Sequence, residues 1–365
     1  MKKRILVLGC TGSIGRQTLD IVRNMKDDFE VCGLSCGSKK EELSLLCKEF
    51  SCQGTLFCEA GVAGLENLIK NSNADIAVNG IAGAAGLKPS VLVLQNKIDL
   101  ALANKETVVM AWSLVKKLAD EVNAKIIPVD SEHSAIFSLI NQCGKENIDE
   151  IIITASGGPF KNFTDEQLKS VSVEQALNHP TWNMGPKITV DSSTLANKGL
   201  EVIEACRLFN MDVSKIKVVI HPQSLIHSLV RTKDGMLYAQ ISNPDMRHPI
   251  LNALTWPKNS SNYLKKFDLS DCEMTFSKPR FESFPLLQFA YDCASKNASY
   301  TIAFNAANEV AVKAFLEKKC SFTEISKIVK STIDKDWTQN PHSIDEVFEI
   351  DKNARLIANK FLESK

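Results

Sequence analysis

The sequence has no excess charge of either sign: 43 Lys and Arg balance 43 Asp and Glu. That balance excludes a global field drawing in nucleic acid or an anionic membrane, so an anionic ligand has to be held by local groups. No run of about 18 apolar residues is present, which argues against a membrane span and for a soluble protein. The 11 cysteines include no CxxC pair and no Cys/His cluster at zinc spacing, Cys32 and Cys36 coming nearest. They read as reduced thiols of a cytoplasmic protein. The start, MKKRILVLG, is basic and then apolar, but the apolar stretch is short and runs straight into a glycine motif. It reads as a first strand, not a signal peptide. No internal repeat is visible.

The composition present is globular, 44% hydrophobic and 24% charged, and the 365 residues suggest two or three domains at roughly 100–200 residues each. Residues 1–128 alternate short aliphatic runs (ILVLG, DIAVNGIAG, IDLALANKE, KIIPVD) with amphipathic segments, such as 41–50, where Leu43, Leu46, Cys47 and Phe50 fall at helical spacing. Such alternation predicts a parallel sheet covered on both faces and hence an α/β domain, which the strand, glycine turn and helix at its start make Rossmann-like and dinucleotide-binding. Over 129–256 strand-like runs continue (EIIITASGG, KITVD, IKVVIHP, LIHSLVRT, MLYAQIS), interrupted by a Pro- and Gly-bounded loop at 176–187 that we expect to be mobile. This predicts a second α/β domain carrying that loop. Residues 257–281 read as a linker, and 282–365 as a C-terminal helical bundle, with Ala307, Val310, Ala311, Ala314 and Phe315, then Ile344, Val347 and Phe348, at helical spacing.

Gly9, Gly12 and Gly15 form a GxxGxxG turn between the first strand and helix, with Thr11, Ser13 and Ile14 inside it. Small residues there let the backbone approach a pyrophosphate, stabilised by N–H groups at the positive end of the helix. The spacing departs from GxGxxG, and a plain tight turn would use the same residues. Where the second strand, FEVCGLSCG, ends, an NAD-binding fold carries Asp or Glu for the ribose hydroxyls. Here Gly37, Ser38, Lys39 and Lys40 follow instead, a hydroxyl and positive charge that suit a 2′-phosphate and hence NADPH. Lysines facing solvent before a helix are the plainer reading.

Asp130 and Glu132 lie two apart after a strand, and Glu201 sits early in a predicted helix. Three carboxylates of this kind could hold one Mg²⁺ or Mn²⁺ with positions left for substrate oxygens. Equally, Asp130 or Ser131 could simply cap the helix SAIFSLI, with Glu201 solvated. Three further segments, ALANKE (Asn104, Lys105, Glu106), ASGGPF (Ser156) and DSSTLANKG (Ser192, Asn197, Lys198), gather hydroxyl, amide and lysine groups suited to a phosphorylated sugar, or to caps and turns. His179, Trp182 and Met184 share the 176–187 loop, while His221 and His227 read as structural.

In order along the chain, GCTGSIG, ALANKE, PVDSEHSAIF, ASGGPF, HPTWNMG, DSSTLANKGLE, HPQSLIHSLV, NPDMRHPI and NAANE resemble the 1-deoxy-D-xylulose 5-phosphate reductoisomerase family of non-mevalonate isoprenoid biosynthesis. The chain departs from the family's pattern at Ser38 and Lys39, where Lys or Arg followed by Asn is expected. The resemblance implies a homodimer with an N-terminal NADPH domain, a central catalytic domain and a C-terminal helical domain, acting on a small sugar phosphate. It implies an NADPH-dependent oxidoreductase that also isomerises its substrate by a metal-assisted retro-aldol and aldol rearrangement before hydride transfer. It further implies a divalent metal (Mg²⁺ or Mn²⁺, with Co²⁺ as a third choice) on Asp130, Glu132 and Glu201. Ser156, His179, Ser192, Asn197 and Lys198 would then serve the phosphate, and Lys105, Ser131 and Glu132 the reacting hydroxyls. Trp182 would cover the substrate, Met246 would pack near the nicotinamide, and Asn104, Glu106 and Gly185 would complete the cofactor site.

Overall fold

In the computed structural model, which describes residues 1–182 and 184–364, the chain divides into two compact units. The first comprises Met1–Thr107, Ser113–Ser134 and Asp245–Lys266, and the second Val108–Trp112, Ala135–Pro244 and Phe267–Lys365.

The first unit alternates β1 (Lys3–Leu8), α1 (Ser13–Asn24), β2 (Phe29–Cys36), α2 (Lys40–Phe50), β3 (Gln53–Leu56), α3 (Phe57–Asn71), β4 (Ile76–Asn79), α4 (Leu87–Gln95), β5 (Asp99–Leu102), α5 (Lys105–Val122) and β6 (Ile126–Pro128). All six strands are parallel, in the order β3-β2-β1-β4-β5-β6. That order is the doubly wound one, in which the crevice outside the carboxyl ends of the strands, here beside β1 and β4, is the general place for a ligand. The short aliphatic runs are explained by burial on both faces: Ile5 to Leu8, Ile76 to Val78, and Leu100 to Leu102 are all buried. Helix α1 buries Thr18, Leu19, Ile21 and Val22 and leaves Arg16 exposed. On α2 the helical spacing is realised, but only Leu43 of the four marked residues is buried.

The second unit holds most of α6 (Ser131–Cys143), β7 (Ile148–Ala155), α7 (Asp165–Leu168), α8 (Val173–Leu177), α9 (Pro186–Ser193), α10 (Ala196–Phe209), β8 (Ile216–Ile220), β9 (Ile226–Thr232) and β10 (Leu237–Ile241). The sheet order is β10-β9-β7-β8, with β7 parallel to β8 and antiparallel to β9. KITVD, strand-like in sequence, is helical within α9. Pro186 at the first helical position, with Gly185 as extended N-cap, starts a helix that the β-branched residues alone do not favour. Helix α11 (Arg247–Thr255) returns to the first unit, where Arg247 pairs with Asp20 at 2.9 Å and Lys3 donates to the Leu254 carbonyl at 2.9 Å.

Helices α12 (Leu286–Lys296), α13 (Tyr300–Leu316), α14 (Phe322–Ile333) and α15 (Ile344–Glu363) complete the second unit. Gly199 on α10 lets α12 approach: a Cβ there would lie 2.7 Å from the Ala290 Cβ. Phe160, Phe315 and Phe322 stack edge to face at 5.1 and 5.9 Å in the same core. Beside the kink at Ala111 in α5, the buried Arg207 guanidinium donates to the Val108 and Val109 carbonyls and to Thr301 Oγ1 at 2.7 Å. Burial pulls its pKa down to about 10. Among the described residues no helix is long and apolar enough to cross a membrane.

Candidate active site

The glycine turn of the first unit is built to bring backbone close to backbone. Gly9 adopts φ +83°, and its N–H and that of Cys10 both donate to the Ser35 carbonyl of β2, at 2.9 and 2.8 Å. A Cβ on Gly15 would come within 2.4 Å of the Gly9 carbonyl oxygen, so only glycine lets α1 start this near the strand. Gly12 is the N-cap of α1 and offers no side-chain cap, nor does the first turn hold an acid. The helix end thus keeps its positive character for an anion. Ser13 Oγ accepts from Gln17 at 3.1 Å, the Thr11 carbonyl accepts from Arg16, and Ile14 packs on the backbone of Gly80. Gly37 has open space where a Cβ would stand, and Lys39 precedes α2 as its N-cap.

Beside the turn, Asn104 caps α5. Its Oδ1 accepts from Thr107 N–H at 3.0 Å and from Thr107 Oγ1 at 2.5 Å, while its Nδ2 donates to the Ile81 and Gly83 carbonyls at 2.8 Å and to Glu106 at 2.9 Å. Both ends of the amide are engaged with protein, tying the loop after β4 to the start of α5. The next residue, Lys105, is buried, and its Nζ lies 2.8 Å from Asp130 Oδ2. Asp130 Oδ1 lies 3.3 Å from Nδ1 of the fully buried His133 and accepts the Glu132 N–H at 3.3 Å. Burial opposes ionisation of Asp130, but the Lys105 ammonium and His133 outweigh it and hold the carboxyl well below the usual carboxylate range. Ser131 Oγ donates to Glu132 Oε2 at 2.5 Å. Asp130 therefore both caps α6 and presents an ionised carboxylate.

The second unit contributes two clusters of its own. Gly157 and Gly158 turn the chain after β7 at φ +84° and +66°, and a Cβ on Gly158 would meet the Ser192 carbonyl oxygen at 2.8 Å. This close approach brings Ser156 to the end of α9. His179 Nε2 lies 3.1 Å from both Ser156 Oγ and Ser192 Oγ. Its Nδ1 accepts the Thr181 and Trp182 N–H groups at 3.1 and 3.0 Å. The neutral ring must then carry its proton on Nε2, facing the two serines. In α10, Asn197 donates to Glu201 Oε1 at 2.6 Å and Lys198 pairs with Glu201 Oε2, the lysine and glutamate both buried. The Trp182 ring stands 6.4 Å from that of His227. Asn183, within the 176–187 loop, lies outside the described residues. Gly185 is the N-cap of α9 and, in the first unit, Met246 that of α11, both only partly buried or exposed. His221 is structural, its Nδ1 3.0 Å from the Thr275 carbonyl and its Nε2 accepting from Leu225 and Ile226.

Burial lowers the pKa of His179 from its ordinary 6.5. The unfolded chain takes up the proton first, so this contribution to stability is complete above pH 6.5 and is lost as the pH falls below it. Between about pH 7.5 and about pH 5.5, the wild-type melting temperature should fall further than that of His179→Gln, which has no proton to gain. Equal slopes in a thermal-shift series would show that the ring does not carry this effect.

Two supporting groups, His133 and Asp191, are not singled out by any sequence motif. His133 is signalled only by its position three residues after Asp130. Asp191 accepts from Asn308 of α13 at 2.8 Å and lies 2.8 Å from Lys187 Nζ, bracing α9 next to Ser192. The 117-residue separation of Asp191 and Asn308 leaves no local pattern to detect.

A family model described as 1-deoxy-D-xylulose 5-phosphate reductoisomerase matches residues 5–58 and 53–112, and models of its C-terminal domains match 126–209 and 241–357. A 1-deoxy-D-xylulose 5-phosphate reductoisomerase from Treponema denticola is 48% identical, over 98% of this chain and 96% of its own. The one from Treponema pallidum is 45% identical, with the same coverage. Among solved structures, the Zymomonas mobilis reductoisomerase in complex with NADPH is similar with a TM-score of 0.91 at 36% identity, covering 100% of both chains. A DOX-P reductoisomerase in complex with NADPH, fosmidomycin and magnesium has a TM-score of 0.90 at 34% identity, covering 99% of this chain and 98% of its own.

Proposed function

The chain belongs to the 1-deoxy-D-xylulose 5-phosphate reductoisomerase family, and we propose on that footing that it converts 1-deoxy-D-xylulose 5-phosphate into 2-C-methyl-D-erythritol 4-phosphate, with NADPH as reductant. The observation that carries our assignment of residues is the matching of buried charge. Asp130 is held ionised by Lys105 and His133, and Glu201 is buried against Lys198 and Asn197.

We assign Asp130, Glu132 and Glu201 to a divalent cation. Their carboxylates are the hard oxygen donors that Mg²⁺ and Mn²⁺ prefer and Co²⁺ accepts, and the ionised state of Asp130 fits a ligand. When bound, the cation polarises the ketose carbonyl and the adjacent hydroxyl for carbon–carbon cleavage and rejoining, and NADPH supplies the hydride that reduces the rearranged aldehyde. The Lys105 ammonium, 2.8 Å from Asp130, is placed to donate to a reacting hydroxyl when that carboxylate has another cation to neutralise it. Ser131 turns Glu132 through their 2.5 Å bond and offers its hydroxyl to the same end of the substrate.

At the other end, Ser156, Ser192, Asn197 and Lys198 bind the phosphate, and His179 presents Nε2–H there because its Nδ1 is already engaged by two backbone donors. One of those donors is Trp182, so histidine and indole move together as the loop covers the substrate and excludes water. Thr11, Gly12, Ser13 and Ile14 take the pyrophosphate, Gly37, Ser38 and Lys39 the adenosine end, and Met246 the nicotinamide. Asn104 and Glu106, tied by their 2.9 Å bond, are assigned to the cofactor, as is Gly185.

We also assign the chain to the cytoplasm, where its 11 free cysteines stay reduced, and to a homodimer. The edge strand β10 exposes Leu237, Tyr238 and Ile241, with Met236 beside them, a row suited to pairing with an identical copy. Sedimentation should give the mass of two chains; a single-chain mass would contradict the dimer.

The test of the reaction is product analysis. Incubation with NADPH, Mg²⁺ and 1-deoxy-D-xylulose 5-phosphate should yield the branched methylerythritol phosphate by NMR. An unbranched reduced sugar phosphate would instead identify a simple dehydrogenase.

A further inference from the structure

Arg16 lies one residue past the third glycine of the turn, at the end of the first turn of α1. Its Nε donates to the Thr11 carbonyl at 3.1 Å, and a terminal nitrogen reaches Glu42 Oε1 at 2.6 Å. Glu42 belongs to the first turn of α2, and its other oxygen lies 3.7 Å from Lys39 Nζ. Two cations, one from the glycine turn and one from the β2–α2 connection, thus converge on one carboxylate and take different oxygens. The group is open to solvent, with the side chains of Arg16 and Lys39 58% and 57% exposed and that of Glu42 30%.

In a doubly wound sheet the adenosine ribose lies at the end of β2 beside the first turn. That strand ends at Cys36, and Glu42 is the acid that its connection brings to Arg16 and Lys39. We propose that Arg16 is a specificity-determining residue for the cofactor: the 2′-phosphate of NADPH displaces Glu42 as the anion that Arg16 and Lys39 share. Glu42 is then an internal competitor of that phosphate. The proposal rests on the NADPH reading and deepens it.

A guanidinium tethered by one nitrogen is already oriented, so it loses little freedom when its remaining donors grip a phosphate. A phosphate monoester carrying about −1.5 to −2 charge attracts both cations more strongly than a single carboxylate does. An ionised Glu42 left next to that phosphate repels it, whereas the hydroxyl of NADH needs no displacement and can donate to the carboxylate. Arg16 and Lys39 therefore favour NADPH, and Glu42 moderates the preference.

The test measures Kd for NADPH and for NADH on the full-length protein without substrate, by nicotinamide fluorescence. Arg16→Gln should weaken NADPH about tenfold and leave NADH within about twofold. Glu42→Gln should tighten NADPH about threefold without tightening NADH, an opposite sign that a merely structural change would not produce. Equal weakening of both cofactors by Arg16→Gln, or weakening of NADPH by Glu42→Gln, would overturn the proposal. The Glu42 variant keeps the test decisive if Arg16→Gln loosens the turn. Wild-type protein binding NADH as tightly as NADPH would instead overturn the NADPH reading itself.

Discussion

Replacing Asp130 with Asn is expected to lower turnover of 1-deoxy-D-xylulose 5-phosphate by about 10³-fold, equivalent to about 4 kcal/mol of transition-state stabilisation. The substitution keeps shape and removes charge. An amide can still accept the Glu132 N–H bond, so the start of α6 should persist. It cannot match the Lys105 ammonium at 2.8 Å, nor act as an anionic ligand. NADPH affinity should stay within about twofold, because the glycine turn and the β2–α2 connection are separate from Asp130 in the sheet. A variant with near wild-type turnover would remove Asp130 from the mechanism, and one that lost NADPH binding as well would point to disruption of the whole first unit.

The second large effect is on stability. Lys198 and Glu201 form a buried pair one turn apart on α10, 5% and 1% exposed at the side chain. Lys198→Met leaves the Glu201 carboxylate buried without its lysine, which should destabilise the protein by about 3–5 kcal/mol in urea unfolding. Removing the charge as well should restore much of that loss, so Lys198→Met combined with Glu201→Gln should be more stable than Lys198→Met alone. Turnover should remain lost in the double variant, since both residues belong to the proposed site. If the single variant is as stable as wild type, water or another group compensates Glu201 and the pair is not a structural determinant.

How far the sequence reveals this arrangement depends on whether a residue's role is local. The parallel sheet is legible because strands buried on both faces must be apolar throughout, as Ile5 to Leu8 are. The glycine turn is legible because Gly15 has no room for a Cβ, a constraint that leaves its mark within seven residues. KITVD misleads because β-branched residues favour strands, while the Gly185–Pro186 helix start and burial of Thr189, Val190 and Asp191 impose a helix. His179 illustrates the opposite limit: a loop histidine gives no hint that Ser156 and Ser192 will flank one nitrogen at 3.1 Å each. The bracing of Asp191 by Asn308, and the shared hold of Arg16 and Lys39 on Glu42, join elements that only tertiary folding brings together. Nor does any composition shift mark the return of Asp245–Lys266 to the first unit.

Metal dependence tests the central assignment most directly. Protein stripped with EDTA and returned to metal-free buffer should bind NADPH but leave it unoxidised in the presence of 1-deoxy-D-xylulose 5-phosphate. Added Mg²⁺ or Mn²⁺ should restore oxidation in step with formation of 2-C-methyl-D-erythritol 4-phosphate. Full NADPH oxidation by the stripped protein would contradict the account, because Asp130, Glu132 and Glu201 would then have no metal-dependent part in the reaction.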